Sequence, residues 1–286
     1  MDTLKGSRMK KGTSKKSKNQ KNNIYVRSAT KTIKKNNKKL AAALIITAIA
    51  LLIVWIVLVG IYAVLKSGEY LADWDTMREY DVVEGDYTMT ASESGDAICF
   101  IPDTIKAGLI FYQDELVENA AYIPLMKKLA SNGVLCIVPS MPLNLSNLDK
   151  NAAKDYKKDF PEVKSWYLGG HGLGGESAAS FLNKKPEGYL GLILLGSYSK
   201  NNISETSLRV LSVYGTLDGV LDMKKYEKYK DNLPEEYFEE FVIEGANHSG
   251  FAVYGLHDGD NEAEITGQNQ VNITVEKILD FMFDVD

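Results

Sequence analysis

The feature that most constrains this chain is an uncharged apolar segment from Leu40 to Leu65, which divides the sequence into two unlike parts. Its twenty-six residues, at about 1.5 Å each, more than cover a hydrocarbon core of roughly 30 Å. A buried core helix of this length would be interrupted by polar positions, and the apolar region of a cleaved signal peptide would be shorter. The segment is therefore predicted to be a transmembrane helix that contacts membrane lipid.

Charge is distributed unevenly about this segment. Residues 1–39 contain fourteen Lys or Arg and one acid, a net of +13, so residues 40–286 carry −5 − 13 = −18. Four lysines directly precede the span and only Lys66 directly follows it, so the positive-inside rule predicts a cytoplasmic N-terminus and an extracytoplasmic C-terminal part at the cell membrane. The basic segment is too polar to bury a core and is predicted to be disordered.

The exterior part is predicted to consist of a polar stalk, residues 66–90, and a folded domain, residues 91–286. Within the domain, short apolar runs alternate with segments of helical pattern, which is typical of an α/β fold with a mostly parallel sheet covered by helices on both faces. A last helix is expected near residues 270–283. The predicted strands are Ala97–Ile101, Gly108–Tyr112, Val134–Pro139, Trp166–Gly169, Leu190–Leu195, Val210–Tyr214 and Glu240–Ile243.

Two cysteines, Cys99 and Cys136, lie inside predicted buried strands. Their small number does not indicate a disulfide scaffold, and buried free thiols are expected. A bridge in an oxidising exterior stays open at this stage, because the two strands could be neighbours.

A glycine-rich stretch, Trp166 to Gly175, reads WYLGGHGLGG and fits two motifs. One is G-x-G-x-x-G, the dinucleotide fingerprint, which should follow the first strand and be followed by an acid about 20 residues on. Several predicted strands precede Gly170, and the next strand ends in Gly196 and Ser197 without an acid. The other motif is the G-x-S-x-G elbow of serine hydrolases, with glycine at the central position.

The elbow interpretation requires an acid after a later strand and then a histidine after the next. Asp218 follows the strand in RVLSVYGTLDG, and His248 follows the strand in EFVIEGANHSG. In a parallel sheet both positions lie at the carboxyl edge, where such sheets carry their sites. The chain order therefore favours the hydrolase motif over the nucleotide motif.

Five stretches between about residues 95 and 286 resemble the α/β-hydrolase superfamily, and in particular the branch called alpha/beta hydrolase fold-5, which is related to dienelactone hydrolases. They are AGLIFYQ, VPSMPLNL, GGHGLGG, VYGTLDGV and IEGANHSGFAVYGLHDGDNEAEIT. The resemblance implies an α/β-hydrolase fold in which an elbow serine, an acid and a histidine act together. By position, these catalytic roles fall to Gly172, Asp218 and His248.

Two departures from the family pattern bear on function. The family elbow reads roughly GGHSLGG, and Gly172 offers no oxygen to attack a carbonyl, so no acyl-enzyme can form there. The family oxyanion donors correspond to the N–H of Leu173 and to the turn at Asp114, where Glu115 adds a second acid near the developing charge. Loss of one oxyanion donor alone costs roughly 10²- to 10³-fold in rate.

Two functions therefore follow as expectations. The first is a degenerate hydrolase that retains the Asp218 and His248 pair and binds an unknown small molecule or protein. The alternative is an active hydrolase of small esters or lactones, rescued by a relocated serine at Ser177, Ser197 or Ser199, or by His248 acting on a water in the space left at Gly172. Whether the protein is an enzyme stays open at this stage.

Other site types have little support in the sequence. Three histidines, without H-E-x-x-H or a paired C-x-x-C, predict no metal site, and no cofactor or nucleic-acid partner is predicted. His171 belongs to the elbow pattern and is expected to be a packing or hydrogen-bonding residue. The stretch HDGDNE, residues 257–262, lacks the glycine and glutamate of a calcium loop and is expected to be a surface loop.

Overall fold

The computed structural model describes residues 13–80, 87–92 and 96–283, and it divides into two compact units at Val64 and Leu65. The first helix, α1, runs from Thr13 to Ser67, and its part from Gln20 to Ser67 is long and apolar enough to cross a membrane. Residues 13–39 are helical here and not disordered as predicted, because a helix already formed extends by one hydrogen bond per residue without a new nucleus. Residues 1–12 of that predicted segment lie outside the described residues.

The second unit is built on an eight-stranded sheet in the order β1-β2-β4-β3-β5-β6-β7-β8. The strands from β3 to β8 run parallel, whereas β1 and β2 are antiparallel to their neighbours at one edge. The strands are β1 Tyr87–Ala91, β2 Ala97–Pro102, β3 Ala107–Tyr112, β4 Val134–Pro139, β5 Trp166–His171, β6 Gly191–Leu195, β7 Arg209–Gly215 and β8 Phe238–Ile243. The predicted mostly parallel α/β sheet is confirmed.

Helices cover both faces of the sheet because alternate residues of its central strands point to opposite sides. Leu109 and Phe111 of β3 contribute to one core, and Ile110 and Tyr112 contribute to the other. The first core is shared with α3 and α6, and the second with α4. The helices of this unit are α2 Trp74–Glu79, α3 Ile123–Ala130, α4 Leu173–Leu182, α5 Met223–Tyr229 and α6 Gly267–Phe283.

The predicted stalk, residues 66–90, differs from its expected form. Tyr70 donates its N–H to the carbonyl of Leu116 at 2.9 Å, and Ala72 is buried in the first core. The stalk also contains most of β1, whose residues are largely exposed and therefore give no burial pattern in the sequence. Residues 66–80 are thus attached to the domain, and residues 81–86 lie outside the described part of the chain.

Cys99 and Cys136 are free and buried. In the antiparallel pairing of β2 with β4, Cys136 lies opposite Phe100, and Cys99 lies opposite Ile137. Adjacent residues of a strand point to opposite faces, so the two sulfur atoms belong to different cores. The expectation of free thiols is confirmed.

Candidate functional site

The elbow lies between β5 and α4, where the chain turns sharply from strand to helix. Gly172 occupies this turn with φ +49° and ψ −120°, a conformation that favours glycine. Its N–H donates to the carbonyl of Leu195 at 3.0 Å, and its own carbonyl accepts the hydroxyl of Ser197 at 2.6 Å. The turn is therefore fixed by the neighbouring strand β6 and the residues that follow it.

The acid and the histidine lie in the loops that follow β7 and β8. Asp218 Oδ2 and His248 Nδ1 are 2.9 Å apart, and both side chains are almost completely buried. The second carboxylate oxygen of Asp218 accepts the backbone N–H groups of Val220 at 3.0 Å and Leu221 at 2.8 Å. Because both of its oxygens are bonded, this carboxylate holds the imidazole ring in a fixed orientation.

Asp114, two residues beyond the end of β3, places its carboxylate directly at the elbow. A Cβ built on Gly172 would overlap this carboxylate, so the carboxylate takes up the space in which a side chain at position 172 would begin. Asp114 Oδ2 lies 3.0 Å from His248 Nε2. The structure thus brings Gly172, Asp218 and His248 together, but the partner of His248 Nε2 is a carboxylate from another loop.

The two N–H groups predicted to bind an oxyanion already have acceptors within the protein. The Leu173 N–H donates to Asp114 Oδ1 at 2.7 Å, and the Asp114 N–H donates to the hydroxyl of Tyr122 at 3.0 Å. Asp114 itself is 3% exposed, so its contact with the Leu173 N–H lies away from solvent. Neither donor is free to bind a substrate oxygen in this arrangement.

The protonation of His248 follows from its two carboxylate neighbours. Burial opposes the charged ring, but hydrogen bonds to Asp114 and Asp218 outweigh burial and raise the pKa of His248 to about 10. Burial likewise opposes ionisation of Asp114, yet the hydrogen bond with His248 holds the pKa of that carboxyl well below its ordinary value. At neutral pH His248 is therefore an imidazolium held between the carboxyl groups of Asp114 and Asp218, and these three residues are called the array.

His171 lies at the end of β5, completely buried beside the array. Its Nδ1 is 2.9 Å from the Tyr122 hydroxyl, and its ring centroid is 4.2 Å from that of His248. Burial is the main cause that lowers the pKa of His171 to about 3, so the ring is neutral. Its Nε2 has no hydrogen-bond partner among the described residues.

Two residues that support the pair were missed in the sequence. Asp260 accepts the backbone N–H of Ser249 at 2.8 Å, that of His248 at 3.3 Å and that of Gly219 at 2.9 Å, which ties the two loops together. It lies in the stretch expected to be a surface loop, and the only signal was its position twelve residues after the histidine. Gly196, with φ +51°, leaves space for the side chains of Asp218 and His248, since a Cβ there would lie 2.7 Å from His248 Nδ1.

The serines considered as relocated nucleophiles are bonded elsewhere. The Ser177 hydroxyl pairs with Ser146 at 3.1 Å, that of Ser197 donates to Gly172, and that of Ser199 donates to the carbonyl of Asn201 at 2.7 Å. The water expected in the space beside Gly172 would also have to displace the Asp114 carboxylate, which fills that space. Among the described residues, neither a relocated serine nor a water beside Gly172 has the position that a nucleophile would need.

A cavity of about 200 Å³ opens beside the array. Its lining includes the buried Asp114 and His248, together with Leu173 and the exposed Glu115 and Lys225. Its volume is below the roughly 300–1,000 Å³ usual for pockets that hold drug-sized ligands. The cavity therefore suits only a small molecule or a short part of a larger one.

The fold and the elbow geometry define an α/β-hydrolase architecture. The family model of the alpha/beta hydrolase family matches residues 108–272, more than half of the chain. This protein therefore belongs to the alpha/beta hydrolase family. Comparison with curated proteins returns no match.

Solved structures similar to this chain share its fold at low sequence identity. TT1662 from Thermus thermophilus has a TM-score of 0.53 at 14% identity, over 70% of this chain and 99% of that one. A protein described as a predicted CIB-like hydrolase from Thermoplasma acidophilum has a TM-score of 0.51 at 14% identity, over 67% and 98% of the two chains. These similarities bear on the fold alone.

Proposed function

We propose that this protein is a membrane-anchored, extracytoplasmic member of the family that lacks serine-hydrolase chemistry and uses its cavity to bind a small ligand. The observation that carries the proposal is the Asp114 carboxylate at the elbow, in contact with both His248 Nε2 and the Leu173 N–H. In a working serine hydrolase, a nucleophile contacts the histidine and a substrate oxygen contacts the N–H. Here one internal side chain makes both contacts.

The state of His248 supports the same conclusion. A general base must accept a proton, and the best catalytic pKa lies near the working pH. With a pKa of about 10, the ring is protonated at neutral pH and has no free lone pair. The pair with Asp218 therefore serves to compensate buried charge rather than to activate a nucleophile.

Membrane anchoring is supported by the helix from Gln20 to Ser67, which is long and apolar enough to span a bilayer. The lysines that precede the apolar segment support a cytoplasmic N-terminus. Protease added to intact cells or protoplasts should then remove the C-terminal domain and spare an N-terminal tag. Protection of the domain in intact cells, with cleavage only after lysis, would contradict this orientation.

The loss of serine chemistry is tested on the full chain in detergent micelles with a fluorophosphonate probe. The unmodified protein should not be labelled. Gly172→Ser alone should also stay unlabelled, because the new side chain would overlap the Asp114 carboxylate. The double variant Gly172→Ser with Asp114→Gly should be labelled, since it provides a hydroxyl and frees His248 and the Leu173 N–H.

A matched control is the double variant with His248→Ala added, in which labelling should disappear. Failure of the double variant to label, although it is folded, would count against the proposed role of Asp114.

The alternative of an active hydrolase has one observation in its favour. Carboxylates are nucleophiles in several hydrolases, and the Asp114 carboxylate lies beside a histidine and an acid. This function predicts turnover of small esters or lactones by the unmodified protein. Turnover that is lost in both Asp114→Asn and His248→Ala would establish it and refute the first proposal.

A further inference from the structure

Three buried side chains, two beside the elbow and one in the loop after β8, have the donor atoms of a metal site. One ligand atom from each of Asp114, His171 and His248 lies within 4.8 Å of those from the other two, and all three residues are buried. We propose that these residues bind a divalent transition-metal ion, with zinc preferred. Two imidazole nitrogens and one carboxylate form a donor set that zinc accepts, with a fourth position left for water or a ligand.

The unpartnered nitrogen of His171 points to a ligand that the protein itself does not supply. Buried side-chain nitrogens normally have a hydrogen-bond partner, and leaving one without a partner is destabilising. His171 Nε2 is such an exception in a side chain that is completely buried. A metal ion bonded to this nitrogen would satisfy it.

The outer contacts of the two histidines match those of metal-binding histidines, which usually donate their second ring N–H to an oxygen. The Tyr122 hydroxyl lies 2.9 Å from His171 Nδ1, and the Asp218 carboxylate lies 2.9 Å from His248 Nδ1. With Nδ1 of each ring as donor, both Nε2 atoms are left as ligands. The ring orientations are thus already fixed by partners outside the proposed coordination sphere.

The carboxylates around the cluster also favour a cation. Asp114 Oδ2 lies 3.0 Å from His248 Nε2, and Asp218 Oδ2 lies 2.9 Å from His248 Nδ1, with both carboxylates almost completely buried. A divalent ion at the cluster would take the place of the proton between His248 Nε2 and Asp114. Buried carboxylates are unfavourable unless a positive charge compensates them, and the ion would supply that charge.

The adjustment needed is small. Ligand atoms around a tetrahedral zinc at about 2.0–2.1 Å are roughly 3.3 Å apart, and the present separations reach at most 4.8 Å. The His171 and His248 rings have centroids 4.2 Å apart, and small shifts of the two rings that keep their Nδ1 contacts would bring their Nε2 atoms to the ion.

This inference rests on the proposed function in that it names the ligand class of the same site. Metal binding and fluorophosphonate labelling are measured separately, so either can fail without the other. The cluster could not be predicted from the sequence, because its ligands are 57 and 77 residues apart (171 − 114 and 248 − 171) and fit no zinc motif.

The test is zinc titration of the full chain in detergent micelles, after chelation and dialysis, by calorimetry together with elemental analysis. One zinc per chain is expected. His171→Phe, which removes a ligand but fills the buried volume, should weaken binding by more than about 100-fold. Asp218→Asn, which alters only an outer contact, should weaken binding by roughly 10- to 100-fold.

The matched control is His257→Gln, which removes the third histidine and leaves the cluster intact. Its zinc affinity should equal that of the unmodified protein. If His171→Phe does not fold, Asp114→Asn replaces it, with the same loss expected. A zinc-dependent rise in the unfolding temperature of the unmodified protein provides a measurement that needs no variant.

Binding of one zinc per chain, with affinity lost in the ligand variants and kept in His257→Gln, supports the site. Absence of saturable binding, unchanged affinity in His171→Phe, or loss in His257→Gln overturns it.

Discussion

The elbow and the pair of loops that face it differ in how far they keep the arrangement of a serine hydrolase. In the loops, Asp218, His248 and Asp260 form a complete hydrogen-bonded unit with fixed ring orientation. At the elbow the turn is present, but Gly172 has no side chain and Asp114 occupies the adjoining space. The difference shows that a carboxylate from another loop, that of Asp114, fills the space beside Gly172 and contacts His248, while the hydrogen bond between Asp218 and His248 is kept.

A hydrogen bond joins the two regions, between Asp114 Oδ2 and His248 Nε2 at 3.0 Å. If the loops and the elbow now form one electrostatic unit, breaking the contact from either side should affect stability. If they are independent, only variants within the loops should lower the free energy of unfolding. The following variants separate these two cases.

The largest effect is expected from His248→Ala in the loops. It leaves the buried carboxylates of Asp114 and Asp218 without their shared cation, and removal of one partner from a buried ion pair costs about 3–5 kcal/mol. Urea unfolding of the full chain in micelles measures the change in the free energy of unfolding. A loss below about 1 kcal/mol would show that the pairing contributes little.

A smaller loss, about 1.5–3 kcal/mol, is expected for Asp114→Asn at the elbow, because one charged hydrogen bond is removed and the shape is kept. Equal stability of this variant and the unmodified protein at neutral pH would show that the two regions are independent.

The stability difference between Asp114→Asn and the unmodified protein should depend on pH, measured in the presence of a chelator. The pKa of His248 is raised to about 10, so its contribution is complete below its ordinary pKa near 6.5 and is lost as pH rises through about 10. The pKa of Asp114 is lowered, so its contribution is present above its ordinary pKa near 3.8 and is lost as pH falls below it.

The difference in stability between the unmodified protein and Asp114→Asn should therefore be largest at about pH 4–6.5, and it should become smaller at lower and at higher pH. Thermal unfolding across this range is the measurement. A difference that instead widens above pH 9 would contradict the assignment of a raised pKa to His248.

The smallest effect is expected for Ser197→Ala, which acts on the elbow alone. It removes the hydroxyl that donates to the Gly172 carbonyl, and a neutral hydrogen bond contributes about 0.5–1.5 kcal/mol. This variant should leave the pH dependence of stability unchanged, because the array of Asp114, His248 and Asp218 is untouched. A changed pH dependence would show that the elbow turn also orients Asp114.

The parallel strands and the loop positions of Asp218 and His248 could be predicted because they depend on local patterns. Apolar runs mark buried strands, and each strand end fixes where the next polar residue emerges. Strand β1 could not be predicted in the same way, since its exposed residues carry no alternation. The helical course of residues 13–39 was also missed, because composition describes an isolated segment and not one that continues an existing helix.

The position of the Asp114 side chain could not be predicted, because it depends on tertiary packing. The sequence indicated an acid near the oxyanion site and an expected penalty for its charge. It did not indicate that the Leu173 N–H and His248 would both bind that charge. The role of Asp260 was missed for the same reason, since its partners lie eleven to forty-one residues away.

The Asp114 carboxylate also acts as a tethered competitor. A group held close to its binding site by the chain has an effective concentration of roughly millimolar or more. An external acid, such as the product of ester cleavage, would have to displace this internal one before reaching the Leu173 N–H, so free carboxylates should bind poorly at the elbow. A cation at the elbow is favoured for the same reason, because the chain holds the negatively charged oxygen of Asp114 beside it.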